Sequence, residues 1–388
     1  MAIYDYNKSM NLKKALMLGV GLVIIGALSY SYVSFHAKPK VSFSNCSTGR
    51  PAHSLLAKSS LSSLRALAEY EAVCHGAVTD TLMTFAAMPT TQVEARQSAK
   101  LVATTLKQFA AQKITPLVVF EPSSVQPTIL AEIKSGIYDT VLEDYYAALK
   151  VEGITDAQMG TWVLFPEANT PAWHTTHPND FAANVRKVAS LQKQVFPASK
   201  VSILLNSRTY PDDDKAWNHG KLQSLVPYVA DLPKGLVDSF GYQGFPSASA
   251  ADASVAYSQL EAPDFLPARL AIEAAKKMAV KRIWLNTGTF KYMYTGDVAA
   301  QISLTTEQRQ DILAGVTQQA EVVKKEGFDV SVNLFAADKS KVDEHVDWSY
   351  WQPGASSESA DTQAFDMFVR GLRERDIGLL LYDQAEEN

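Results

Sequence analysis

The chain has 388 residues, 47% hydrophobic and 20% charged, with a net charge of −5 at pH 7. That is an ordinary globular composition, and an acidic chain without a long basic run excludes a nucleic-acid partner. Two cysteines, Cys46 and Cys74, are too few for a disulfide scaffold and either pair or stand as unrelated thiols. No CxxC or Cys/His spacing offers a metal site, and no cofactor is implied.

The first element in chain order is the uncharged run 15–33, preceded by Lys13 and Lys14. It is about long enough to cross a bilayer. Tyr30 and Tyr32 stand near its outer end, where an aromatic belt places them. No A-x-A cleavage site follows, which favours an uncleaved signal anchor over a cleaved signal peptide. The expectation is a cytoplasmic tail and transmembrane segment over 1–40, with 41–388 outside the cytoplasmic membrane: at the cell surface, or secreted if the segment is cleaved.

Apolar runs then recur at Val41–Phe43, Thr81–Phe85, Thr115–Phe120, Trp162–Phe165, Val201–Leu205, Val237–Tyr242, Arg282–Leu285 and Val330–Phe335. Between them lie helical periodicities: Val102, Leu106, Phe109; Phe181, Val185, Val188, Val195; Ile312, Val316, Val323. Strand–helix alternation implies parallel strands with crossover helices. Eight such units predict an α/β fold, a (β/α)8 barrel over 41–388, with the segment after Val346 as a C-terminal extension. A different count makes the run Ile377–Leu381 the eighth strand. An open doubly wound sheet is the other architecture, but no glycine-rich phosphate loop supports it.

A barrel gathers the residues that follow each strand on one face. They are Glu121; Glu167 and Asn169, with Trp173 beyond; Asn206; Tyr242, followed by Gln243 and Phe245; Asn286; and Asp338, followed by Trp348, Tyr350 and Trp351. Acids, amides and aromatic rings suit a sugar. Glycoside hydrolysis needs two carboxyl groups, one to protonate the leaving oxygen and one as nucleophile or base. The expected acid is Glu167, with Glu121 or Asp338 as second carboxylate. Asn169, Trp173, Asn206, Tyr242, Asn286, Trp348 and Trp351 are the expected substrate-binding groups.

These segments resemble glycoside hydrolase family 26, the β-mannanase-like (β/α)8 enzymes. FEPS at 120–123 is similar to the family's W-E-P segment, and residues 129–153 to its I-x-x-G-x-Y-D helix. Glu167, Asn169 and Trp173 match E-x-N-x-x-W, the acid/base region; VDSFGYQGF at 237–245 resembles the sixth strand, and DWSYW the closing segment. The resemblance implies Glu167 as acid/base, and a β-mannan or related polysaccharide or oligosaccharide as substrate. The sequence also departs from the pattern. Pro166 stands where the family has His, an apolar residue near Val163 where it has Arg, and Phe245 where it has Tyr. Asn286 or Thr287 stands where the nucleophilic Glu belongs, and neither ionises as a carboxylate. Three readings follow: a glycosidase with altered chemistry, a glycan-binding barrel that does not cleave, or a structural cell-surface protein on an inherited barrel.

Overall fold

The structure is a computed structural model that describes residues 81–111, 115–122, 128–170, 177–207, 222–246, 261–295, 300–335, 338–339, 346–347 and 360–382. The expected anchor 15–33, the run Val41–Phe43, both cysteines, Trp173, Trp348 and Trp351 lie outside the described residues. No described helix is long and apolar enough to cross a membrane.

In chain order the strands are β1 (Thr81–Met88), β2 (Thr115–Pro122), β3 (Thr161–Leu164), β4 (Lys200–Asn206), β5 (Ser239–Gln243), β6 (Arg282–Thr287), β7 (Tyr292–Thr295), β8 (Ala300–Ser303), β9 (Asp329–Phe335), β10 (Asp338–Lys339), β11 (Val346–Asp347) and β12 (Gly378–Tyr382). Eight of them close a parallel barrel in the order β1-β12-β9-β6-β5-β4-β3-β2. The barrel thus begins at Thr81, and Gly378–Tyr382 is its closing stave rather than part of an extension. Glu167 consequently follows the third barrel strand, not the fourth. The remaining strands form a small sheet, β10-β11-β7-β8, inserted after β6 and β9.

Helices fill the crossovers: α1 (Gln92–Ala111), α2 (Ile129–Ser135), α3 (Asp139–Val151), α4 (Asp156–Met159), α5 (Pro178–Val195), α6 (Val226–Val229), α7 (Ala262–Phe265), α8 (Ala268–Met278), α9 (Thr306–Lys325) and α10 (Ala360–Glu374). Their starts are written locally. Thr305 and Gln308 form a capping box at α9, Thr155 and Gln158 another at α4, and Pro178 opens α5. The expected apolar faces are the buried ones: Leu106 and Phe109 on α1, Phe181, Val185 and Val188 on α5, Ile312, Val316 and Val323 on α9.

Strand alternation divides the core in two. Outward-facing side chains pack under the helices, as in the ring cluster of Phe120, Tyr145, Tyr146 and Trp162, whose centroids lie 5.0 to 6.2 Å apart. Each such ring contributes about 2 to 3 kcal/mol on burial. Inward-facing side chains form a separate apolar plug: Met83, Leu117, Val119, Val163, Leu204 and Trp284. The Trp284 indole crosses the lumen over Gly241 and donates its Nε1 proton to Ser202 Oγ at 2.9 Å. This plug is the floor on which the polar residues above it stand.

Candidate active site

Above the floor, at the C-terminal ends of the strands, the lumen turns polar. Asn206 of β4, Gln243 of β5, Asn286 of β6 and Asn333 of β9 sit in one register row: Asn206 opposite Gln243, Gln243 opposite Asn286, Asn286 opposite Asn333. All four are buried. Alternation puts them on the inward parity with Leu204, Gly241, Trp284 and Ser331.

The row is joined by hydrogen bonds running in one direction. Asn333 Nδ2 donates to Asn286 Oδ1, Asn286 Nδ2 donates to Gln243 Oε1 at 2.5 Å, and Gln243 Nε2 donates to Glu167 Oε1. Asn206 Nδ2 adds a second donor to the same carboxylate oxygen at 3.2 Å. Donor hydrogen bonds favour a carboxylate over a carboxylic acid.

Glu167 reaches this position through an unusual turn. β3 ends at Leu164, and both Phe165 (φ 50°) and Glu167 (φ 55°) adopt left-handed backbone. Such conformations cost non-glycine residues about 1 to 2 kcal/mol and cluster at functional sites. The turn is held against β4. Glu167 N–H donates to Leu204 C=O at 2.8 Å. The buried Asn169 side chain donates to Asn206 C=O at 2.8 Å and accepts from Asn206 N–H at 3.0 Å. Asn169 therefore replaces the strand that β3 no longer supplies; its amide is spent on scaffold, not offered to a ligand.

Glu121 lies at the end of β2, on the inward parity with Leu117 and Val119, and is partly buried. Burial, and after it the charge of Glu167, pushes its carboxyl up from 4.5 to about 7. Two neighbouring carboxyl groups thus differ in environment, one desolvated and one in a cradle of amide N–H groups.

The aromatic rim differs from the sequence reading. Tyr242 faces outward: it is fully buried, and its hydroxyl donates to Pro267 C=O at 2.9 Å, so it packs a helix rather than a ligand. Among the described residues, the rings on the inward side above the plug are Phe85, which is 49% exposed, and Phe245 and Phe335, which meet edge to face at 6.0 Å. Asp338 falls in β10 of the small sheet, where it pairs with Asp347. Gln243 was legible only as a neighbour of Tyr242, and Asn333 was missed; the signal for both is inward parity in an alternating strand. Among the described residues no group of His, Cys, Asp and Glu is arranged to hold a metal.

No family model matches the sequence, and no curated protein matches it. Solved structures are similar in fold. A family 26 β-mannanase from Bacteroides ovatus is 12% identical, with a TM-score of 0.48 over 79% of this chain and 82% of that one. An endo-1,4-β-D-mannanase from Thermotoga petrophila is 12% identical, with a TM-score of 0.44 over 75% and 90%. A fungal β-1,4-galactanase is 14% identical, with a TM-score of 0.46 over 79% and 91%. Similar structures also come from glycoside hydrolase families 5 and 39, so the likeness does not single out family 26.

Proposed function

We propose that the protein is a glycoside hydrolase cleaving a β-mannan or related β-glycan, with Glu121 as proton donor and Glu167 as the ionised partner. The observation that supports this is the unequal carboxyl pair. At neutral pH a group raised to about 7 still carries a proton for much of the time, while its neighbour accepts two amide donors. Pairs of acids pushed apart in this way mark acid and base roles. Glu121 protonates the glycosidic oxygen as the C–O bond breaks; Glu167 attacks the anomeric carbon or removes a proton from attacking water. These roles are the reverse of the sequence expectation, which made Glu167 the acid. The exposed ring of Phe85 offers an apolar face for a sugar.

The test is release of reducing ends from β-mannans, β-glucans and xylans by the full chain, beside Glu121→Gln and Glu167→Gln. Both substitutions lower turnover by about 10² to 10⁴-fold. On an aryl glycoside with an acidic phenol as leaving group, which needs no proton, Glu121→Gln regains activity and Glu167→Gln does not. Activity that survives both substitutions overturns the assignment. Binding by all three proteins without cleavage leaves the second reading, a non-hydrolytic glycan binder. That reading is favoured by the 286–287 position, where Asn286 or Thr287 stands in place of the resembled family's nucleophile and Asn286 is tied on both sides into the row.

We further propose that the run 15–33 anchors the folded part outside the cytoplasmic membrane, because it is uncharged and follows Lys13 and Lys14. Release of the protein from membranes by alkaline carbonate would refute this.

A further inference from the structure

The row Gln243–Asn286–Asn333 does more than fill the lumen. In Asn286 both amide atoms are engaged in line: Nδ2 donates towards Glu167 and Oδ1 accepts from the far side. Turning one amide therefore requires turning its neighbours, and the row has only two consistent directions. At its far end Asn333 Oδ1 is fully buried and has no hydrogen-bond partner among the described residues. Reversal would exchange that orphaned carbonyl for an orphaned NH2 and give up the donation from Asn333 Nδ2 to Met83 Sδ at 3.9 Å, a weak acceptor, so the far end adds a modest preference for the observed direction. The near end discriminates strongly. An ionised Glu167 demands the N–H of Gln243, whereas a reversed row would set the Gln243 carbonyl against the carboxylate. A protonated Glu167 can donate its own O–H to that carbonyl.

From this geometry we infer that Asn286 and Asn333 are positioning residues for Glu167: the amide row takes its direction from the charge on Glu167 and, so directed, holds that group as a carboxylate. This rests on the reading of Glu167 as the ionised partner. Among the described residues, the groups shown facing Glu167 are Glu121 from β2, Asn206 from β4 and Gln243 from β5, and of these only Glu121 titrates. Glu121 is thus the one described neighbour whose titration could be mistaken for that of Glu167.

The experiment is a pH titration of the full chain by NMR, with ¹³C-labelled Glu carboxyls and ¹⁵N-labelled Asn and Gln side chains. A Glu121→Gln sample separates the two carboxyl transitions. The side-chain amide of Asn333 is expected to shift with the midpoint of Glu167, although two other amides intervene. In Asn286→Leu the Asn333 amide stops titrating, while Glu167 still titrates, at a higher midpoint. A purely structural network leaves Asn333 flat across the Glu167 transition in the unsubstituted chain, and that result overturns the inference even if Asn286→Leu fails to fold. The titration needs no substrate. A protein without hydrolytic activity whose Asn333 follows Glu167 refutes the enzymatic reading and keeps the row; an active protein with a flat Asn333 does the opposite.

Discussion

The Trp284 indole lies so close over Gly241 that a β-carbon there would stand 2.3 Å from the ring. The clash is with a ring atom held inside a closed barrel, not with the end of a flexible side chain. Gly241→Ala must therefore displace Trp284 and break its bond to Ser202. Overpacking of this kind costs about 1 to 3 kcal/mol. Thermal unfolding of the variant is expected at a distinctly lower temperature, with altered tryptophan fluorescence. Gly327→Ala is the control: nothing lies within 4 Å of its β-carbon and only a positive φ resists the change, at about 1 kcal/mol. Equal losses at the two sites would remove the indole from the lumen.

Glu121 gives stability a pH dependence of unusual sign. Its folded-state carboxyl is raised from 4.5 to about 7, so between those values the folded protein binds more protons than the unfolded chain. Stability from this group is therefore full below about 4.5, falls as pH rises through the window and levels off above 7. The whole effect is about 3 kcal/mol at most. Replacing Glu121 with Gln removes the ionisable group. Its advantage over the unsubstituted chain is expected to be near zero at pH 4.5 and to grow towards pH 8, read as the difference in denaturation midpoints. A constant difference across that range would show that the carboxyl is not buried as described.

Most of the barrel was legible because its inner strands are buried on both faces and read as short apolar runs. β2, β4, β6 and β9 were each placed within a few residues. The two counts differ at the ends, and the barrel matches the one that makes Ile377–Leu381 its eighth strand. That run follows a long stretch with a weak pattern, so by sequence it reads equally well as an appendage. The site was half legible. Glu121, Glu167, Asn206 and Asn286 stand out as the first polar residues after apolar runs. Tyr242 is the more conspicuous sugar ligand of the two, yet period-two alternation with Gly241 puts Gln243 inside. Asn333 sits within its run between Val332 and Leu334, where no strand-end rule looks. The raised carboxyl of Glu121 depends on desolvation by residues distant in sequence, which no local pattern carries.

Asn169 was expected to bind substrate, and its hydrogen bonds give it another task. The side chain satisfies both the N–H and the C=O of Asn206, at 3.0 and 2.8 Å, from a fully buried position. Asn169→Ala removes both of these bonds from buried backbone groups, at a cost of about 2 to 4 kcal/mol. Asn169→Asp can serve both groups only as the neutral acid; ionised, it turns a second acceptor oxygen towards the Asn206 C=O from a buried position, so its loss should grow as pH rises. Unfolding temperatures measured across pH test this: Asn169→Asp should fall further below the unsubstituted chain as pH rises, while the deficit of Asn169→Ala stays level. If Asn169→Ala is as stable as the parent but binds glycan weakly, the amide belongs to the ligand after all.

Phe85 carries the prediction that separates a working cleft from a filled barrel. It is on the inward parity of β1, opposite Val119, yet 49% exposed, whereas Met83 two residues below is buried in the plug. An aromatic side chain left half in water at the mouth of the lumen contributes little to the core, so Phe85→Ala should lower stability by about 1 kcal/mol or less. A sugar ring that stacks there would lose about 1 to 1.5 kcal/mol of binding, a weakening of about tenfold. The expected signature is a raised KM with kcat little changed, because the ring is offered to substrate and transition state alike. Binding of an oligosaccharide to the Glu167→Gln background gives the same comparison without turnover. A large loss of stability with unchanged binding would assign Phe85 to packing and move the glycan-facing surface elsewhere on the rim.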